Sequence, residues 1–590
     1  MKPYRYIIAA AATSALLFSS CDDMLDMTPE TDPSDAVIWN SAEAFEKGVN
    51  QFYTFLPYFL DKDYLRGIRD KDLMSDLCLN KDSENSYSNS TYTPGETDKI
   101  YDEYFKNLRA INYYFKNEAQ YGAGLNIARY TAEAHFFRAY TSFRMFKEYG
   151  PLPIVKSVMD VSSPELYGPR ASRNDFADFI IADLEEAIGS GALPLQKDIE
   201  GGDSDGRITL GAAQALLAEV CLFEGTWQRY HYSDDTRATA LLNKAAEYAK
   251  KVMDDTSYHL FYNEELGVES YKYMFSLEST HQCNPANVLK DANKEYIFRN
   301  RFDENVRQPN QNVVHGAKWS NVTRKFVEMF LDLKGQATRP DYETSLNSYY
   351  KDRDPRLSTL SVAIGDLNWN NANASNFQRN EADSALAVVV GWNGPGFYVK
   401  KWSTERGMDA NQSGFDCPII RLAEVYLIYA EAKCELGGGN ISDGDLNISL
   451  NLLRDRVHMP HLTNATVPEG STLLEEIRKE RTRELYLEGF RFDDLRRWKT
   501  AEKEMSENLE GVYIGEGSAF ARDWSFVSPY NAKQAYNYTA TSNTNYDKSA
   551  DGYIVREAAS RRTFTEKNYL LPLPTKQLEL NPALEQNPGW

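Results

Sequence analysis

The stretch that decides the fold reads Ala132-Glu-Ala-His-Phe136-Phe-Arg-Ala139-Tyr-Thr-Ser-Phe143-Arg-Met-Phe146-Lys-Glu-Tyr149-Gly150-Pro151. Ala132, Phe136, Ala139, Phe143 and Phe146 recur at steps of three and four, so one helical face carries them all. Gly150 and Pro151 end the pattern. Small alanines let a neighbouring helix approach closely, and large rings from that neighbour fill the space beside them. The spacing therefore predicts a helix over Ile127 to Tyr149 that stacks against others.

Outward from this segment the same signature repeats. Helices are predicted from Ala36 to Tyr53, with Phe45, Val49 and Phe52 in phase, and from Asp98 to Ala119. Others run from Ser172 to Ile188, from an N-cap at Thr209 to Gly225, and from Arg237 to Met253. After a long gap come Ile420 to Leu436, Asp445 to Val457 and Leu473 to Gly489. Paired amphipathic helices that set Ala against aromatics predict a mostly α fold, a degenerate tetratricopeptide-like helical-repeat array without the strict repeat signature. Between residues 255 and 415 the rhythm weakens and Asn, Gly and Asp accumulate around Tyr296, Trp319, Trp369, Trp392 and Trp402. Such a loop-rich insertion is the expected ligand-binding face. The chain is thus divided into an N-terminal helical part (36–254), the insertion (255–415) and a C-terminal helical part (416–590) with an irregular insert at 502–563.

The first residues predict export. Lys2 and Arg5 precede an apolar run from Ile7 to Phe18 that is too short for a membrane span. It closes on Leu17-Phe18-Ser19-Ser20-Cys21, which resembles a bacterial lipoprotein signal, with Phe18 departing from the usual aliphatic residue. Residues 1–20 are expected to be removed and Cys21 to be acylated. The polar stretch 21–35, with Asp22, Asp23, Asp26, Pro29 and Pro33, would act as the tether.

The 590 residues carry 86 acidic and 65 basic side chains, a formal charge of −21. That balance argues against nucleic acid and against a basic patch on anionic lipid. Tyr outnumbers Gly, 38 to 34, and such rings serve both helix packing and sugar binding. The six cysteines, Cys21, Cys78, Cys221, Cys283, Cys417 and Cys434, show no C-x-x-C spacing, so no disulfide framework, zinc site or thioredoxin motif is indicated.

No metalloprotease, nucleophile-elbow or phosphate-loop motif occurs, and the seven histidines follow no ligand pattern. Neither a catalytic residue, a metal site nor a cofactor is expected. Asp203-Ser-Asp205-Gly206-Arg-Ile208 imitates the middle of an EF-hand. The register fails, because Gly201 and Ala212 fall where the loop needs an acid and a bidentate Glu. The segment is read as the turn before a helix capped by Thr209.

Several motifs, in order along the chain, resemble the SusD/RagB family of Bacteroidetes outer-membrane lipoproteins. They are Ala132 to Pro153, Gly206-Arg207-Ile208-Thr209, Asp352-Arg353-Asp354-Pro355-Arg356-Leu357, Arg421 to Ala432, Asn451 to Arg456, Glu480 to Trp498, and the closing Leu571-Pro572-Leu573-Pro574 with Gln586 to Trp590. The resemblance implies a substrate-binding lipoprotein facing outward on the outer membrane, which captures an oligosaccharide and delivers it to a SusC-like TonB-dependent transporter. Peptide uptake is the alternative it leaves open, and a surface glycosidase a more distant one. It also implies that Arg481, Glu484, Glu488, Arg491 and Trp498 are architecture. Sugar rings lie on aromatic faces while their hydroxyls need polar partners. Outside these motifs the aromatics in polar loops are therefore the candidate ligand residues: Trp319, then Tyr87 and Tyr92, then Trp369 and Tyr296. Trp39, Trp498 and Trp590 are assigned to the frame.

Overall fold

The computed structural model describes residues 35–59, 71–80, 86–89, 91–281, 283–308, 320–339, 346–361, 397, 399–402, 413–513 and 547–590. The expected signal and the tether up to residue 34, and with them Cys21, Trp319, Trp369 and Trp392, lie outside these residues. The fold is mostly helical.

Eight principal helices form the frame: α1 (Ala42–Asn50), α2 (Lys99–Tyr121), α3 (Ala128–Tyr149), α4 (Arg173–Gly189), α5 (Leu210–Trp227), α6 (Asp235–Met253), α7 (Leu422–Leu436) and α8 (Leu473–Glu484). The quoted stretch is α3, and Ala132, Phe136, Ala139, Phe143 and Phe146 are all buried. Polar side chains start the helices where expected. Asp98 accepts the amide of Ile100 at 2.8 Å, Ser172 that of Asp175 at 3.0 Å and Thr209 that of Ala212 at 3.1 Å. Each such cap contributes about 1 kcal/mol. From α2 onward each helix packs on the next, α2 on α3, α3 on α4, and so on to α7 on α8. The array therefore continues from α6 directly to α7, and the 255–415 segment is an insertion between two stacked neighbours. Their shared core holds Phe136, Phe143, Phe146, Phe223, Leu242, Ala245, Val425 and Ile428.

The insertion packs into a second apolar core shared with residues such as Phe59, Val457 and Tyr486 of the flanking parts, and here the sequence expectation is corrected. Trp402, expected in a polar setting, is 1% exposed, with ring centroids of Phe59 and Phe275 each 4.8 Å away. Phe302, Phe326, Phe330 and Tyr486 lie in the same cluster. A long segment poor in regular helix must still bury apolar area to be ordered, and its rings are the largest available source.

Short antiparallel strands attach the insertion to the frame. β1 (Cys78–Asn80) pairs with β3 (Ser320–Val322), and β2 (Tyr296–Asn300) pairs with β4 (Cys417–Arg421). Arg421 thus ends a strand, and α7 starts at Leu422 rather than Ile420. The helix expected from Asp445 to Val457 is broken at Ser449, which separates Asp443–Asn447 from Leu450–Arg456. α8 stops at Glu484 instead of Gly489, because Leu487 and Gly489 take left-handed φ values of 60° and 85°. Within 502–563, β5 (Leu509–Tyr513), β6 (Asp547–Lys548) and β7 (Tyr553–Glu557) form a sheet in the order β5-β7-β6. Among the described residues no helix is long and apolar enough to cross a membrane.

Candidate ligand-binding site

Residues from three separated segments meet in an open cleft of about 240 Å³. Asn50, Tyr53 and Leu56 come from the end of α1 and the 3₁₀ turn after it. Asp205, Gly206 and Arg207 come from the turn before α5, and Arg299, Asn300, Arg301 and Arg307 from the end of β2 and the loop beyond. The frame and the insertion therefore both contribute. The volume lies slightly below the roughly 300–1,000 Å³ of pockets that enclose a whole ligand, so this cleft suits one part of a longer molecule.

The residues that line the cleft are held in place from below. Tyr53 donates its hydroxyl to Glu133 at 2.7 Å and accepts the amide of Ile208 at 2.9 Å. Burial, and then the Glu133 carboxylate, holds that phenol well above its usual pKa, so it remains a donor. The Arg207 guanidinium lies 5.5 Å from the Tyr53 ring centre and 5.4 Å from that of Tyr130. It pairs with Glu133 at 2.9 Å. Burial works against that charge, but Glu133 outweighs it and the Arg207 pKa is raised. Arg299 is divided between Asp416 at 2.9 Å and Asp205 at 3.4 Å.

Two arginines are left facing outward. Arg301 is 47% exposed and reaches the Asp205 carbonyl. Arg307 packs 4.9 Å from the Phe302 ring centre and donates to Asn300 Oδ1 at 2.7 Å and to the Arg301 carbonyl at 2.9 Å. Its partners are neutral, which leaves its charge available to a ligand. The cleft can thus offer the Tyr53 ring, the Asn50 amide, the exposed Arg301 and the half-buried Arg307, whereas buried Asn300 spends its amide on Pro57 and Arg307.

The sequence reasoning missed this site. Its residues are spread from Asn50 to Arg307, and the sequence marks Asp203 to Ile208 among them as a turn. That reading holds, since Thr209 caps α5. The turn also has a second use, as one wall of the cleft.

The described candidate residues lie elsewhere. Tyr296 is corrected: it is a core residue, 5% exposed, and its hydroxyl donates to the Met274 carbonyl at 3.2 Å. It borders a cavity of about 10 Å³, the size of a single water. Tyr87 and Tyr92 do come together, with ring centroids 4.5 Å apart and planes 23° from parallel. They spend one face on each other, Tyr87 is 8% exposed, and Trp590 meets Tyr92 edge-on at 6.0 Å. As placed, Tyr87 has no open face for a ligand, and half-buried Tyr92 alone keeps part of its surface.

The Arg481–Trp498 cluster is structural. Arg481 pairs with Asp494 at 2.9 Å, Arg491 with Asp76 at 2.8 Å, and Glu488 with Arg421 at 2.7 Å. The Trp498 indole donates to Glu431 at 2.6 Å. All are buried, with no solvent-facing carboxylate among them.

Comparison with known proteins gives a consistent result. A family model described as the SusD family matches residues 287–590. A SusD-like protein of Bacteroides ovatus is 23% identical, covering 98% of this chain and 96% of its own length. A second, from Formosa agariphila, is 21% identical over 82% of this chain and 89% of its own. Among solved structures, a SusD-like carbohydrate binding protein from Bacteroides fragilis superposes with a TM-score of 0.70 at 21% identity, covering 93% of this chain and all of that one. A laminarin binding SusD-like protein reaches 0.55 at 19% identity, over 93% of this chain and all of its own.

Proposed function

The chain belongs to the SusD family, and from that premise we propose that it captures an oligosaccharide outside the cell and passes it, uncleaved, to a SusC-like TonB-dependent transporter. Acylation at Cys21 would hold it on the outer face of the outer membrane. Support for a glycan ligand comes from the relatives whose titles name carbohydrate or laminarin binding. The observation that carries the reading is the cleft itself. Its open shape and its mixture of ring, amide and guanidinium groups match the needs of a sugar, whose hydroxyls must each find a partner on burial.

Binding without turnover is favoured by the carboxylates. A glycosidase needs two carboxyl groups facing the sugar, about 5 to 10 Å apart. Here Glu133 is fully buried between Arg129, Arg207 and Tyr53, and Asp205 is committed to Arg299 and Arg301.

Isothermal titration with panels of oligosaccharides and peptides tests this. Arg301→Ala with Arg307→Ala should weaken glycan binding at least about tenfold, since each hydrogen bond from a charged group contributes about 1.5–3 kcal/mol. Unchanged affinity would remove the cleft from the site, sugar release would replace capture by hydrolysis, and binding of peptides alone would change the ligand class. Palmitate labelling that persists in Cys21→Ala would refute the anchor.

A further inference from the structure

The loop that carries Arg307 also carries Glu304, and Glu304 meets Glu278 and His281 at a point the ligand reading does not use. One ligand atom from each of the three lies within 4.8 Å of the others. The carboxylates are fixed by the main chain. Glu304 Oε1 accepts the amides of Ser279 at 2.9 Å and Thr280 at 3.1 Å, and Glu278 Oε1 accepts that of Gly414 at 2.9 Å. Gly414 is required for this approach, because a Cβ there would stand 2.7 Å from Glu304 Cδ.

These bonds hold one oxygen of each carboxylate. Glu304 is 5% exposed, and its Oε2 is buried without a hydrogen bond. His281 has 42% of its side chain exposed, yet its Nδ1 is also buried and unbonded, 3.5 Å from Glu304 Oε1 and 3.7 Å from Glu278 Oε2. Those separations are too long for good hydrogen bonds. They are close to the roughly 3.3–3.5 Å between donors that share one tetrahedral cation at bond lengths of about 2.0–2.2 Å. A buried carboxylate oxygen without a partner is costly, and a cation is the compensation this geometry admits. Lys290 on the adjoining segment does not supply it, since its ammonium is spent on Asp416 at 3.1 Å and on the carbonyls of Phe302 and Gly414.

We propose that Glu278, His281 and Glu304 bind a divalent transition-metal cation of the zinc type. An imidazole nitrogen with two carboxylates suits zinc, whereas calcium takes six to eight oxygens. The exposed imidazole edge leaves a path for exchange and a position for water. The cation ties together the Ser276–His281 turn, the Asp303–Arg307 loop and the approach to β4, three segments joined otherwise by few regular elements. Its role is structural and does not depend on which ligand the cleft holds.

The test uses the full chain stripped with EDTA and titrated calorimetrically with ZnCl2. One zinc per chain is expected, together with a rise in melting temperature, since a ligand that binds only the folded state stabilises it. His281→Ala and Glu304→Gln should each weaken binding at least about tenfold, the scale on which metal sites respond to altered ligation. His281→Ala should keep the wild-type circular dichroism and metal-free melting temperature, because its ring is largely at the surface. Absence of zinc binding, equal binding by His281→Ala, or displacement of zinc by equimolar calcium would overturn the assignment. In the first case His281 is simply a neighbour of two carboxylates.

Discussion

The Arg356 guanidinium lies 3.0 Å from the Glu484 carboxylate, although the two residues are 128 positions apart. Both are fully buried. Arg356 also meets Asp354 at 2.7 Å and Glu480 at 2.5 Å, while Glu484 is shared with Arg421 at 2.7 Å and Arg456 at 2.5 Å. Arg421 and Arg456 both reach Glu295, at 2.8 and 3.0 Å. Glu295, Asp354 and Arg356 belong to the insertion and the others to the C-terminal part, so this network holds the insertion on the helical frame. These three guanidinium groups share four carboxylates, and Arg454 and Arg483 also reach Glu480. Arg356→Met leaves buried carboxylates uncompensated and should cost about 3–5 kcal/mol in urea unfolding. Lys47→Ala, which breaks an exposed pair with Glu43, should leave the urea midpoint unchanged. A loss below about 1 kcal/mol for Arg356→Met would refute the network's role.

Between pH 4 and 7 two buried groups act in opposite directions. His231 stacks on Trp227 at 4.1 Å, and burial pushes its pKa down to about 4. The unfolded chain takes up that proton near pH 6.5 and the folded chain does not, so stability falls as pH drops from 6.5 towards 4. Asp72 is the reverse. Burial raises its pKa to about 7, so the folded state keeps a proton that the unfolded chain loses near pH 4, and stability falls as pH rises through this window. Both contributions add to that of paired carboxylates such as Glu431 and Glu484, whose lowered pKa values make stability fall towards pH 4. Relative to the wild type, His231→Phe should lose stability as pH rises, and Asp72→Asn should gain it. Urea midpoints against pH measure both slopes, and parallel curves for the three proteins would refute the assignment.

Gly206 has φ of 87°, and a Cβ there would strike Arg301. Gly206→Ala should cost about 1–2 kcal/mol from the left-handed backbone alone. It should also displace Arg301 from the cleft and weaken glycan binding. Thermal melting and titration calorimetry read the two effects separately. Full affinity in a destabilised variant would show that Arg301 does not touch the ligand.

The described cysteines, Cys78, Cys221, Cys283, Cys417 and Cys434, are buried thiols outside any disulfide. Burial pushes the thiols of Cys221 and Cys434 up to about 12 and raises that of Cys417 well above its usual value. Iodoacetamide at pH 8 should leave all five unlabelled in the native protein and label all five in urea, because only the thiolate reacts. Mass spectrometry counts the adducts. Rapid native labelling of Cys221 would contradict its burial within α5.

The sequence by itself determined the helical frame. Phe136, Ala139 and Phe143 carry helical spacing, Thr209 and Ser172 carry cap chemistry, and both signals act over fewer than about five residues, so local order reports them. Only the tertiary structure decided the cleft, the second core and the buried charge network. Tyr296 and Trp402 look polar among their sequence neighbours, yet strand pairing and packing bury them. Glu484, Arg356 and Glu295, like Asn50, Arg207 and Arg307, become partners only after distant segments dock. Periodicity is a property of one segment, whereas a site or an ion network is a property of several, and their juxtaposition is set by packing that no single stretch encodes.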